Sequence, residues 1–140
     1  SWRATRWPAP GGSAALAALA ERLGAPIWGE PMPATVPLAT DHPLWRGPLP
    51  PFAYRIRPLL ERHDLVLAAG MPVFRLFGWS PGPALPPGTG LVHLDVDPEE
   101  VGRVHEPVAG LVGDVAAGLR GLVERLGPAP PGAGARRARE

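Results

Sequence analysis

Apolar positions recur along this chain at two spacings, and the alternation between them predicts its architecture. In "AALAALAERL" (14–23), Leu16, Leu19, Ala20 and Leu23 share one helical face, behind a Ser13 placed to cap the first turn. Gly24 stops that helix, and "APIW" (25–28) follows as a short apolar strand. The next stretch, "GEPMPATVPLATDHPLWRGPLPP", holds too many prolines for regular structure and reads as a long connection. "FAYRIRPLLERH" (52–63) returns to helical spacing through Phe52, Ile56, Leu59 and Leu60, with Pro58 expected to kink or shorten it.

Residues 64–69, "DLVLAA", are apolar on both faces, as expected of a central strand in a parallel sheet. The strand delivers a turn at Gly70, continued by "MPVFR", and residues 78–90 form a loop. "LVHLDVD" (91–97) is the next strand. After it Asp97 is placed to cap a helix, with Pro98 at its first position and Glu99 and Glu100 complementing the dipole. A short apolar stretch at 108–112 makes the last strand. Asp114 then caps a helix through Leu126, with Val115, Leu119, Leu122, Val123 and Leu126 on one side. This order is mainly a βα alternation. It predicts an α/β fold: a doubly wound parallel sheet in a Rossmann-like three-layer αβα domain.

Composition narrows the picture. At 140 residues the chain supports one domain, and the absence of cysteine excludes disulfides, thiolate metal sites and a cysteine nucleophile. A net charge of +1 gives no general attraction to nucleic acid or anionic membrane. No apolar run reaches the ~20 residues of a membrane span, and no signal peptide is recognisable. The expectation is a soluble cytoplasmic protein. All 14 basic residues are arginine, which reads as GC-rich coding rather than a demand for guanidinium groups. The 21 prolines and 18 glycines cluster at the start, around 26–50, at 70–90 and after 127, so periodic segments survive between them. Residues 127–140 read as a flexible tail or interdomain linker.

Candidate chemistry is sparse. Gly70 after a buried strand would let a phosphate or flavin approach the backbone. Yet "GMPVFR" is not GxGxxG, and Pro72 removes an amide donor, so a simple tight turn competes. Asp95 and Asp97 sit at a strand end where Rossmann-type sheets place a ribose-binding acid, although capping alone accounts for Asp97. With Arg75 these make four cofactor-binding candidates: Gly70, Arg75, Asp95 and Asp97. His42, His63, His93 and His105 lack metal-ligand spacing, and no metal site is expected. Ser13 and Ser80 lack a nucleophile elbow. Trp45 and Trp79 either pack on another domain or cover the long loops. No acid, base and electrophile assemble, so the residues describe a scaffold without a reaction.

Taken together, "ALAERLGAPIW", "DHPLWRGPLPP", "LLERHDLVLAAGMPVFR", "PPGTGLVHLDVDPEEVGR" and "VAGLVGDVAAGLRGLVERL" resemble the central domain of thiamine-diphosphate-dependent enzymes, nearest the benzoylformate decarboxylase branch. The likeness runs from about residue 13 to 126. It implies a three-domain parent. The first domain would supply a glutamate that activates the thiamine ring, and the last would hold the diphosphate through Mg²⁺ with a GDG motif. The middle domain binds FAD or ADP in some relatives and is largely structural in the decarboxylases. Here "GDV" (113–115) only begins the final helix. Thiamine diphosphate and Mg²⁺ are therefore expected in the complete parent, with no cofactor bound by this chain alone. The implied partners are the missing N- and C-terminal catalytic domains, within a homo-oligomer. Aligning "FR" (74–75) and Pro-Gly (81–82) puts the branch's active-site histidine at Phe77, which cannot transfer a proton. Another 2-oxo-acid decarboxylase, a carboligase or an acetolactate-synthase-like parent stays open. The competing readings are a free-standing ADP- or FAD-binding module, and a lyase assembled from separate chains.

The opening, "SWRATRWPAPG", lacks the strand and small-residue turn that the resemblance implies. GC-rich codons for it, read in a neighbouring frame, give VAGDAVARAG. Residues 1–10 are thus predicted to be a frameshifted remnant, leaving a domain without its proper first strand and with an exposed sheet edge. The expected divisions are an atypical segment at 1–12, the central domain at 13–126 and the tail at 127–140.

Overall fold

A computed structural model of the chain describes residues 11–32 and 36–128. The anomalous opening and most of the tail lie outside the described residues, and the frameshift reading lies there with them. Eight elements follow in order: α1 (Gly12–Leu23), β1 (Ile27–Gly29), β2 (Trp45–Pro48), α2 (Ala53–Leu60), β3 (Leu65–Ala69), β4 (Gly90–Asp95), β5 (Ala109–Val112) and α3 (Val115–Leu126). Every strand pair is parallel. β1 pairs with β2, and β3-β4-β5 form a second sheet with β4 central.

Side-chain alternation explains the layers. On one face Leu94 of β4 packs against Ala15 and Leu19 of α1 and Val115 and Leu119 of α3, with Leu67 and Ala69 of β3 beside them. Ile27 extends that face under α1 through Ala20, Leu38 and Leu44. On the opposite face Ile56 and Leu60 of α2 meet Leu49, Trp28 and Val66. Helices thus cover both faces, and the expected doubly wound three-layer arrangement is what the chain forms. Leu119 and Ile56, both 0% exposed, mark the two cores. Asp114 caps α3 as predicted, its carboxylate accepting from the Ala117 amide at 2.7 Å.

Other expectations need correcting. Ser13 is not a cap: Gly11, at φ 78°, occupies that position and α1 starts at Gly12. The proline-rich connection contains β2, and its Leu38, Leu44 and Leu49 are buried. Proline is tolerated there because, among the described residues, β2 pairs with β1 alone, so Pro48 removes no donor that a second neighbour there needs. No helix follows Asp97. The segment makes turns, because "PEEVGRVHEP" has no apolar stripe to bury. α2 ends at Leu60, three residues before its predicted limit, and holds Pro58 inside it. β3 is an edge strand among the described residues, with Leu65 52% exposed, rather than a central one. A run apolar on both faces reports cover by helices, not pairing on both edges.

The loop after β3 is tied back onto α2. Arg57 donates from Nε to the Pro83 carbonyl and from Nη2 to the Pro81 carbonyl, both at 2.8 Å. The Phe77 amide donates to the Pro51 carbonyl at 2.9 Å. Among the described residues no helix is long and apolar enough to cross a membrane.

Candidate functional site

Two neighbouring places collect the polar groups. The first is the carboxyl edge of the β3-β4-β5 sheet, where ligands of parallel α/β folds bind. Register places Ala69 beside Leu94 and Asp95 beside Val112, so Gly70, Asp95 and Gly113 end three adjacent strands. Their groups are already engaged. The Gly70 amide donates to the Leu94 carbonyl at 2.8 Å. Asp95 Oδ1 accepts from the Asp97 amide at 2.9 Å, and Asp97 Oδ1 accepts from the Glu99 amide at 3.0 Å. Asp97 thus organises a turn. Of the four sequence candidates, Gly70, Asp95 and Asp97 share this edge.

His93 holds the edge from below. It is buried in β4 at 1% exposure. The Gly102 amide donates to its Nδ1 at 3.4 Å, which makes Nδ1 the acceptor and leaves Nε2–H to donate to the Met71 carbonyl at 3.0 Å. One imidazole therefore joins the turn after β3 to the turns after β4. His105 packs edge-on to Phe74, ring centroids 6.4 Å apart, and desolvation holds its pKa below the usual histidine value.

The second place is a cleft of about 210 Å³ between the two sheets. β1 and β3 form its sides, and it is closed by Leu16 and Leu19 of α1 and by Leu60 of α2. At its carboxyl end stand Glu30, just beyond β1, and Gly70, just beyond β3. Arg75, the fourth candidate, is not part of the lining, but its positive charge acts on Glu30 and works to lower its pKa. Burial nonetheless dominates and raises the Glu30 pKa above the ordinary carboxylate range. Glu30 Oε2 and Trp28 Nε1 are buried and have no hydrogen-bond partner among the described residues. Neither residue stood out from sequence. The signal was a lone acid directly after an apolar strand, "APIWGE".

Phe77 and Trp79 lie in the loop pinned to α2, 54% and 89% exposed. Among the described residues no three histidine, aspartate or glutamate side chains group to hold a metal ion. The donor set of either place therefore does not fit Mg²⁺ with a diphosphate. The cleft is aliphatic, and the carboxylates of the edge are taken up by backbone amides.

A parallel sheet flanked by helices on both faces defines the class: a doubly wound, three-layer α/β domain. Residues 7–122 match the family described as thiamine pyrophosphate enzyme, central domain, and the chain belongs to that family. It is 43% identical over 110 residues to a benzoylformate decarboxylase from Pseudomonas aeruginosa, a stretch that is 79% of this chain and 21% of the relative. A solved thiamine diphosphate-dependent 4-hydroxybenzoylformate decarboxylase from Rhodococcus jostii superposes with a TM-score of 0.73 at 34% identity, covering 87% of this chain and 24% of that one. A structure described as a thiamin diphosphate-dependent enzyme of Mycobacterium smegmatis gives 0.77 at 36% identity, over 86% and 23% of the two chains. The chain thus spans about a quarter or less of the length of these relatives.

Proposed function

We propose that this chain is the structural middle layer of a thiamine-diphosphate-dependent 2-oxo-acid decarboxylase, with the bond-breaking groups in N- and C-terminal domains of the complete, homo-oligomeric enzyme. The observation that carries this is the state of the carboxyl edge. Asp95 and Asp97 each accept from the backbone amide of a turn, and the Gly70 amide continues the ladder from β3 to Leu94 of β4, so none of the three faces outward as a binding set. Thiamine diphosphate, held through Mg²⁺ elsewhere in the enzyme, supplies the carbanion chemistry. This chain would supply rigidity and an aromatic loop. Phe77 takes the place where the benzoylformate decarboxylase branch carries a histidine, so proton transfer at that point falls to another group or to water.

Isothermal titration of the 140-residue chain with thiamine diphosphate and Mg²⁺ tests the reading. The expected result is no saturable heat, with 2-oxo-acid decarboxylation appearing only when the flanking domains are supplied. Stoichiometric binding by the chain alone, or turnover without those domains, overturns it.

A further inference from the structure

After β4 the chain leaves the sheet at Asp95 and rejoins it where the Val108 amide donates to the Leu91 carbonyl at 2.8 Å. The excursion between is a flap of turns that hydrogen-bonds within itself. The Glu99 amide donates to Asp97 Oδ1 at 3.0 Å, and the Glu100 and Arg103 amides donate to the Asp97 and Glu100 carbonyls, both at 3.2 Å. Its middle is fastened to the domain by Val101 against Gly110 of β5, by the Gly102 amide on His93 Nδ1, and by the His105 ring, set edge-on to Phe74. Phe74 in turn packs on the buried cluster of Ala68, Val73 and Leu91. Under the flap lies a cavity of about 30 Å³, room for about one water molecule. The turn after β3 contributes Val73 and Phe74 to its wall and no titratable group; β4 contributes His93, and the flap Glu100, Arg103 and His105.

This wall suits a neutral imidazole and not an imidazolium. His93 has both ring nitrogens engaged, with Met71 and Gly102, and has no acceptor left to offer. Glu100 Oε1 accepts from Arg103 Nη1 at 2.8 Å, so its charge is already balanced there. His105 forms no ion pair with a described carboxylate. Its ring centroid lies 6.4 Å from that of Phe74, outside the ~6 Å over which a cation is drawn to a ring face. We propose that residues 97–107 are an acid-opened flap, closed on Phe74 while His105 is neutral and released when His105 takes up a proton. The Gly102 contact, 3.4 Å long, is weaker than a hydrogen bond of ordinary length and does not hold the flap shut without the ring packing. Desolvation lowers the His105 pKa, in keeping with this. The closed form is therefore at full strength above the ordinary histidine value, weakens as pH falls through the window below it, and levels off once the closed form too is protonated. Opening uncovers Phe74 and His93, and it needs neither cofactor nor substrate.

Amide hydrogen exchange of the full 140-residue chain, read by NMR, tests the flap. From about pH 7 to about pH 5, protection at Gly102 and Arg103 should fall about fivefold, and by no more than about tenfold per pH unit, the limit for one proton. Urea at about 1 M should leave those two amides unchanged while lowering protection at Leu119 in the core, which marks the opening as local. His105→Phe keeps an aromatic ring on Phe74 and should abolish the pH dependence; His105→Gln, equally without a titrating ring, decides the point if the phenylalanine variant does not fold. Protection that holds steady across the pH range in the parent chain overturns the proposal. So does a fall that persists in the variant, or protection at Gly102 that follows Leu119 in urea.

Discussion

Glu30 is a half-buried carboxylate whose Oε2 has no hydrogen-bond partner among the described residues, and it shows how one residue writes itself into the pH dependence of the fold. Its folded pKa is raised by desolvation, which the Arg75 charge only partly offsets. Between the unfolded and the folded pKa the native state binds the extra proton. Stability is therefore greatest below that window and falls as pH rises through it. Glu30→Gln should flatten this decline and leave the protein more stable at neutral pH, as urea midpoints measured across the acid-to-neutral range will show. His105 acts in the opposite sense, its lowered pKa costing stability as pH drops below the ordinary histidine value, so the variant keeps that loss. Both groups were hard to read in sequence. Periodicity marks which residues face inward, but Glu30 lines a cleft whose walls come from elements far apart in the sequence, and no local spacing reports that. His93 was visible only as an alternating position in a strand. Its clamp on Met71 and Gly102 depends on turns whose geometry no spacing encodes.

At the level of elements, α3 shows how closely a helix approaches the sheet. A Cβ on Gly118 would lie 2.7 Å from Leu94 Cδ2, in a core where Leu94 is 2% exposed. Gly118→Val should destabilise by about 1–3 kcal/mol through overpacking, read as a lowered urea midpoint at unchanged m-value. The three helices and the strands β1, β3, β4 and β5 were legible because each has a sustained apolar face and a boundary residue such as Gly24, Gly70 or Asp114. β2 was not. Its "WRGP" has no alternation, and it is a strand only because Trp45 packs into the Ile27 cluster and β1 offers an edge. The reverse error, a helix after Asp97, came from real start signals with no hydrophobic stripe behind them. Capping chemistry is local, whereas a short helix survives on burial.

For the molecule as a whole, the exposed edges govern self-association. β5 is exposed along its length, with Leu111 at 39% and Val112 at 58%, and its outer edge has no partner among the described residues. Such an apolar edge invites pairing between molecules. Val112→Lys should reduce self-association in sedimentation velocity while shifting stability by no more than about 0.5 kcal/mol. Finally, the fastening of residues 81–83 to α2 bears on the chain's exclusive use of arginine. A proline-rich strap offers carbonyls and few amides, so only a group made wholly of donors can grip it. Arg57 spans two such carbonyls with one planar fork, and any side chain on Gly82 would strike its Nη2, 2.8 Å from where a Cβ would stand. Lysine, a single point of charge, reaches one acceptor at a time. Arg57→Lys should therefore speed limited proteolysis between Phe77 and Gly82 with little change in the thermal midpoint. At this position, at least, codon bias and physical necessity select the same residue.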